Sequence, residues 1–219
     1  LLGSRGLGDV YKRQFLTRAV AELALLAVSE QRQPVATLEQ FWAEVRELRD
    51  LFKFEFFYPD TQEFEQQIDA ELCRDEPRWQ SLLSERPDNA RLIINRLSPK
   101  LGHLALTIFA EAYSVGTDIL LRQPDDEQLY EAVFIDRCMS YGRQAYLQRR
   151  ISSEASIGKL LYGNAWKMLS SRGLIDQPEG RSRQAEALNQ LIRRLEVIRA
   201  LSIADRGAST LRDVARETL

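Results

Sequence analysis

From residue 15 onward, apolar residues recur three and four positions apart, and only short runs alternate apolar with polar. Such spacing lines one face of an α-helix, because 3.6 residues complete a turn. The 219 residues hold only 11 glycines and 7 prolines, too few for the turns of a β-rich fold. Apolar residues make up 44% and charged residues 28%, enough to build a core and too apolar for a disordered chain. The expected fold is therefore all-α, an irregular bundle of about seven or eight helices.

Taken in order, the chain divides into three parts. Residues 1–14 show no helical periodicity, and Gly6-Leu7-Gly8-Asp9-Val10-Tyr11-Lys12-Arg13-Gln14 resembles translated adapter sequence at the ends of metagenomic gene fragments. They are expected to be a non-native lead to a chain that begins further upstream. Residues 15–205 form the helical domain, and 206–219 a tail. A first helix runs from Phe15 to about Glu30, and Pro34 ends the connection after it. Thr37 is placed to cap the second helix, with Gln40 as its capping-box partner. Asp60 or Thr61 caps the third, whose buried face is Phe64, Ile68 and Leu72. Pro77, Pro87 and Pro99 punctuate two short helices around Trp79 and Ile93. Leu101–Leu121 is a long helix carrying a narrow polar stripe of His103, Thr107, Glu111, Ser114 and Asp118. Asp125 or Asp126 then starts a helix to about Arg150. Ser152 or Ser153 caps the next, with Leu160 among its inward residues and Gly173 at its end. A last amphipathic helix spans about Gln184 to Ser202.

The densest feature is Leu48–Pro59, with Phe52, Phe54, Phe56, Phe57 and Tyr58 inside seven residues. Aromatic side chains carry large apolar surfaces, so this stretch is expected to be a packing hub. Its apolar residues fit helical spacing up to Phe52 and strand spacing beyond, which predicts a helix that unwinds near Phe54 and is stopped by Pro59.

Several function classes fall away on composition. With 30 basic and 32 acidic residues the net charge is −2, which gives no general attraction for nucleic acid. No run of 18 uncharged apolar residues exists, so no segment is expected to span a bilayer. Cys73 and Cys138 stand far apart and read as two structural thiols. The one histidine, His103, lies on a mostly apolar helix and reads as a core residue, so no nucleophile–histidine constellation can be assembled. No catalytic, cofactor-binding or metal-ligating residue is assigned.

Three blocks carry a family resemblance. Arg46-Glu47-Leu48-Arg49-Asp50-Leu51-Phe52-Lys53-Phe54-Glu55-Phe56-Phe57 resembles a block in the C-terminal region of bacterial membrane-associated glycerol-3-phosphate 1-O-acyltransferases. Gly142-Arg143-Gln144 through Leu147-Gln148-Arg149-Arg150-Ile151 is similar to a second, and Ala165 through Arg172-Gly173-Leu174-Ile175 to a third, in the family's order. The resemblance implies a helical C-terminal domain, covering residues 15–205, that buttresses an upstream catalytic domain. That domain would move an acyl chain from acyl-CoA or acyl carrier protein to glycerol 3-phosphate, at the cytoplasmic face of the inner membrane, with peripheral membrane contact. The family's H-x-x-x-x-D signature uses the histidine as general base and the aspartate to orient it. Here Ile108 stands five residues after His103, and Gly180-Arg181-Ser182-Arg183 lacks the context of the family's phosphate motif. The chain alone is thus expected to be inactive. A free-standing all-α ligand- or partner-binding module is the alternative reading.

Two surfaces remain as candidates. Arg143, Arg149 and Arg150 could meet a phosphate or lipid headgroup, or simply sit well against a helix C-terminus. Arg193, Arg194 and Arg199 form a basic face on the last helix, which could lie on an anionic membrane or face solvent.

Overall fold

The structure, a computed structural model, describes the backbone of residues 3–31, 36–124 and 127–217, with side chains described from 15 to 207 within those ranges. Pro34, Asp125 and Asp126 lie outside the described residues. Nine α-helices and no strand occur among the described residues: α1 Gly3–Ser29, α2 Thr37–Leu51, α3 Thr61–Asp75, α4 Trp79–Glu85, α5 Asn89–Arg96, α6 Gly102–Leu121, α7 Glu131–Leu147, α8 Lys159–Ser171 and α9 Arg181–Glu217. The all-α expectation holds, with one or two more helices than expected. The backbone of residues 3–14 is helical and continuous with α1.

The chain separates into two compact units. Unit 1 comprises Leu1–Arg49, Pro59–Ala105 and Arg194–Leu219, and unit 2 comprises Asp50–Tyr58 and Leu106–Arg193.

In unit 1, α1 packs against α3 and α5, and α4 against α5. From Leu16 to Val28 every residue of α1 is buried, charged ones included. Burial on this scale requires partners for Arg18 and Glu22. Arg18 Nε donates to Glu71 at 2.8 Å and its Nη1 to Asp75. Glu22 accepts from the backbone N–H groups of Leu101 (2.9 Å) and Gly102 (2.7 Å), so a side chain of α1 serves the open amides at the start of α6. Asp60 caps α3 by accepting from Glu63 N at 2.9 Å, as expected. Thr37 does something else: its hydroxyl donates to the Leu83 carbonyl at 2.6 Å, tying α2 to α4 in place of a capping box. Phe41, Trp42 and Trp79 form a second aromatic cluster, with centroids 5.0–5.7 Å apart.

In unit 2, the Asp50–Tyr58 part of the aromatic stretch leaves the helix after Leu51 and continues in turns closed by Glu55 N to Phe52 O at 2.9 Å. Phe52 is fully buried and stacks on Tyr113 at 5.8 Å, and Phe56 meets Phe109 edge-on at 4.9 Å. Phe57 points out, 88% exposed, so the hub is part core and part surface.

Two boundaries shift. Residues 127–130 are non-helical and α7 starts at Glu131; around them Gln123 Nε2 donates to the Glu127 carbonyl at 3.0 Å, and Arg137 donates to both Gln123 and Glu127. Ser153 caps only a single 3₁₀ turn, Glu154–Ser156, and α8 begins after Gly158, which leaves Leu160 77% exposed in the first turn. Gly173 ends α8 at φ 71°, the left-handed conformation a glycine takes without a Cβ clash. The last helix is longer than expected and starts at Arg181.

Candidate functional site

The three sequence blocks, far apart along the chain, come together in unit 2. Asp50–Phe57 of the first, Gly142–Ile151 of the second and Ala165–Ile175 of the third all belong to it. The first and third meet directly. Asn164, just before the third block, donates to Glu55 at 3.0 Å, and Arg172 donates to Asp50 at 3.1 Å and to Gln184 at 2.9 Å. Burial raises the Glu55 carboxyl above its ordinary range, opposed by hydrogen bonds and the charge of Lys167. Burial, and then the neighbouring Glu55 charge, push the Tyr113 phenol up as well. Both groups are thus held above their ordinary ranges by burial within the aromatic hub.

The second block ends α7, and Glu111 of α6 fixes the turn between that block and α8. The Glu111 carboxylate is 3% exposed and accepts from Ser152 N (2.6 Å), Ser153 N (3.3 Å) and the Ser156 hydroxyl. The polar stripe of α6 thus serves as an internal clamp at Glu111. Asp118, further along the stripe, accepts from the Tyr141 hydroxyl at 2.9 Å. Tyr141 in turn is covered by two guanidiniums, Arg122 at 4.5 Å and Arg150 at 4.6 Å from its ring centre, and both donate to its hydroxyl. Beside this stack lies a shallow groove of about 560 Å³, lined by Ile119 and, on α7, by Val133, Asp136, Arg137, Ser140, Tyr141 and Gln144.

The α7 C-terminus closes with paired backbone bonds, Arg149 N to Tyr146 O (2.9 Å) and Arg150 N to Ala145 O (2.8 Å), around a left-handed residue. That residue is Arg149, at φ 58°. Arg150 is held by Tyr141, Gln148 and, at 3.9 Å, Asp118. Arg143 and Arg149 are exposed, and their side chains make no hydrogen bond or ion pair among the described residues.

The other candidates resolve differently. Arg193 pairs with Glu186 at 3.0 Å, and Arg194 with Glu30 (2.9 Å) and Glu44 (3.6 Å), so two cations of the last helix are neutralised. Arg181 of the Gly180–Arg183 lookalike is buried and donates to the carbonyls of Leu120, Leu174 and Ile175. It closes a turn, a role its sequence context does not announce. His103 is part-buried, and desolvation, then Arg199 and Arg206, lower its pKa and favour the neutral ring. Cys73 and Cys138 are both free, and burial pushes the Cys138 thiol up. Among the described residues no three His, Cys, Asp or Glu side chains gather as a metal site.

By length and composition α6 could cross a membrane: its most apolar 18-residue window has a mean hydropathy of 1.4. Half of that window is buried within the protein, and Glu111 sits in it with three donors, which reads as a core helix.

The all-helical fold among the described residues, with parts of all three ordered blocks in one unit, is consistent with the helical C-terminal region that the blocks resemble. The chain belongs to the family described as the glycerol-3-phosphate acyltransferase C-terminal region, which matches residues 13–178. Curated relatives from Mycobacterium bovis and from two strains of Mycobacterium tuberculosis carry the name "Putative acyltransferase plsB1". Each is 30% identical over 203 residues, covering 91% of this chain. The chain spans 31% of their length. No solved structure matches it significantly.

Proposed function

We propose that this chain is the C-terminal helical region of an enzyme that transfers an acyl group from acyl-CoA or acyl carrier protein to the sn-1 hydroxyl of glycerol 3-phosphate. The family match over residues 13–178 carries the reading, and the convergence of the three blocks in unit 2 supports it. Catalysis belongs to an H-x-x-x-x-D domain upstream, and this region contributes none of the catalytic residues. Its part is to buttress that domain and to help hold the enzyme peripherally at the cytoplasmic face of the inner membrane. The packing supports a buttress: the buried acids Glu22 and Glu111 are spent on backbone amides and hydroxyls, and Arg181 on carbonyls. The test incubates the purified 219-residue chain with glycerol 3-phosphate and palmitoyl-CoA. No lysophosphatidic acid is expected, and measurable product would overturn the assignment of chemistry upstream. An H-x-x-x-x-D motif in the reading frame before Phe15 is the matching positive result.

A further inference from the structure

Seventeen residues, Arg137 to Ser153, contain four arginines and no acid. The C-terminal end of α7 lies within them, and its exposed side chains are mixed in a particular way. Leu147 is 81% exposed and Tyr146 38% exposed. Arg143 lies one helical turn before Leu147, on the same side of the helix. Arg149 comes after the last turn in the left-handed conformation, where glycine would be unstrained. Neither arginine has a side-chain partner among the described residues, whereas Arg150 is tied to Tyr141 and Asp118. The helix macrodipole favours cations at this end, but it gives no reason for a bare leucine between them, nor for an arginine at the left-handed position.

We propose that Arg143, Tyr146, Leu147 and Arg149 form a docking surface for an anionic lipid bilayer. The two guanidiniums meet headgroup phosphates, the tyrosine sits at the headgroup level, and Leu147 enters the acyl boundary. A free phosphate would use only the arginines; the adjoining apolar side chains gain nothing from it and do gain from lipid. The inference rests on the peripheral membrane placement proposed above and names the surface responsible.

The experiment is sedimentation of the 219-residue chain with vesicles of phosphatidylcholine alone or mixed with phosphatidylglycerol, across a salt series. Binding to the mixed vesicles, weakening as salt rises, is expected. Removing each arginine should weaken it about fivefold, the factor for about 1 kcal/mol per basic residue at an anionic surface. Arg143→Gln with Arg149→Gly should therefore weaken it on the order of 30-fold. Arg149→Gly also serves as the folding control, since glycine suits φ 58° and should leave Tm unchanged or higher. Leu147→Ser should weaken binding several-fold and leave its salt dependence intact. If the wild type binds mixed vesicles and the double variant binds equally well, the surface is wrong and peripheral placement stands. Binding to no vesicle removes both. Full displacement from vesicles by millimolar inorganic phosphate at constant ionic strength would mark a small-anion site and overturn the lipid assignment.

Discussion

At the scale of single residues, the chain's chemistry is held by buried acids with structural work. Glu22 is fully buried, and burial pushes its carboxyl up to about 7, against the pull of two backbone N–H groups, Arg18 and Lys100. The folded state then holds this proton at pH values where the unfolded state has released it. Stability must fall as pH rises from about 4.5 to 7 and level off above. The shift corresponds to about 2–3 kcal/mol across that window. Urea unfolding of wild type and Glu22→Gln at pH 5 and pH 8 reads it, and the wild type should lose more stability than the variant by about that amount. Equal losses would show that Glu22 is ionised throughout. Glu111 makes the complementary case, because its role is acceptance from three donors. Glu111→Ala strands those donors and should destabilise by about 2–4 kcal/mol, with Glu111→Gln costing less because one acceptor remains. Chemical denaturation of the three proteins gives the order directly, and a Gln variant as unstable as the Ala variant would contradict it.

At the scale of elements, α7 and α8 pack closest where Gly142 meets Tyr162. A methyl group on Gly142 would overlap the Tyr162 hydroxyl, which is buried and has no hydrogen-bond partner among the described residues. Gly142→Ala gains about 1 kcal/mol of helix propensity and should still lose about 1–3 kcal/mol net through overpacking. Tyr162→Phe removes an orphaned hydroxyl and should be neutral or stabilising. Combined, the pair should recover part of the Gly142→Ala loss, and strictly additive effects in a double-mutant cycle would refute the contact. This close approach shows what the sequence conveys and what it withholds. Periodicity reveals α2, α3 and α6 through their buried faces, while α4 and α5 are marked only as short pieces between prolines and α2 ends at Leu51, before the unwinding expected near Phe54. The order of the three blocks is equally plain in the chain. That α7 starts at Glu131 is not, nor is Arg137 reaching back across this boundary to Gln123 and Glu127. Glu111's clamp on residues 41 to 45 positions away is hidden for the same reason. A side chain's long-range partner leaves no trace in local spacing. Arg149 stands out in the sequence by its charge, while its left-handed backbone is visible only once the end of α7 is placed.

At the scale of the whole molecule, the distribution of apolar surface bears on whether this region stands alone. Phe57 (88%), Leu147 (81%), Leu160 (77%) and Leu104 (70%) are each largely exposed. Singly exposed apolar side chains are ordinary, so whether these four need a covering surface is a matter for experiment. Lipid contact accounts for Leu147 and leaves Phe57, Leu104 and Leu160 without an occupant. A region that buttresses a second domain should carry such positions, because the surface covering them belongs to that domain. The purified chain should therefore bind an environment-sensitive dye such as ANS in its native state and self-associate as concentration rises, at ionic strengths where its charges are screened. Phe57→Ser, Leu104→Ser and Leu160→Gln, introduced together, should lower both signals at little cost to stability, since exposed positions contribute within about 0.5 kcal/mol each. Fluorescence titration and light scattering at several concentrations supply the readouts. A monodisperse monomer that leaves the dye dark would mean these side chains need no covering surface, and would favour a self-sufficient helical module over a buttress.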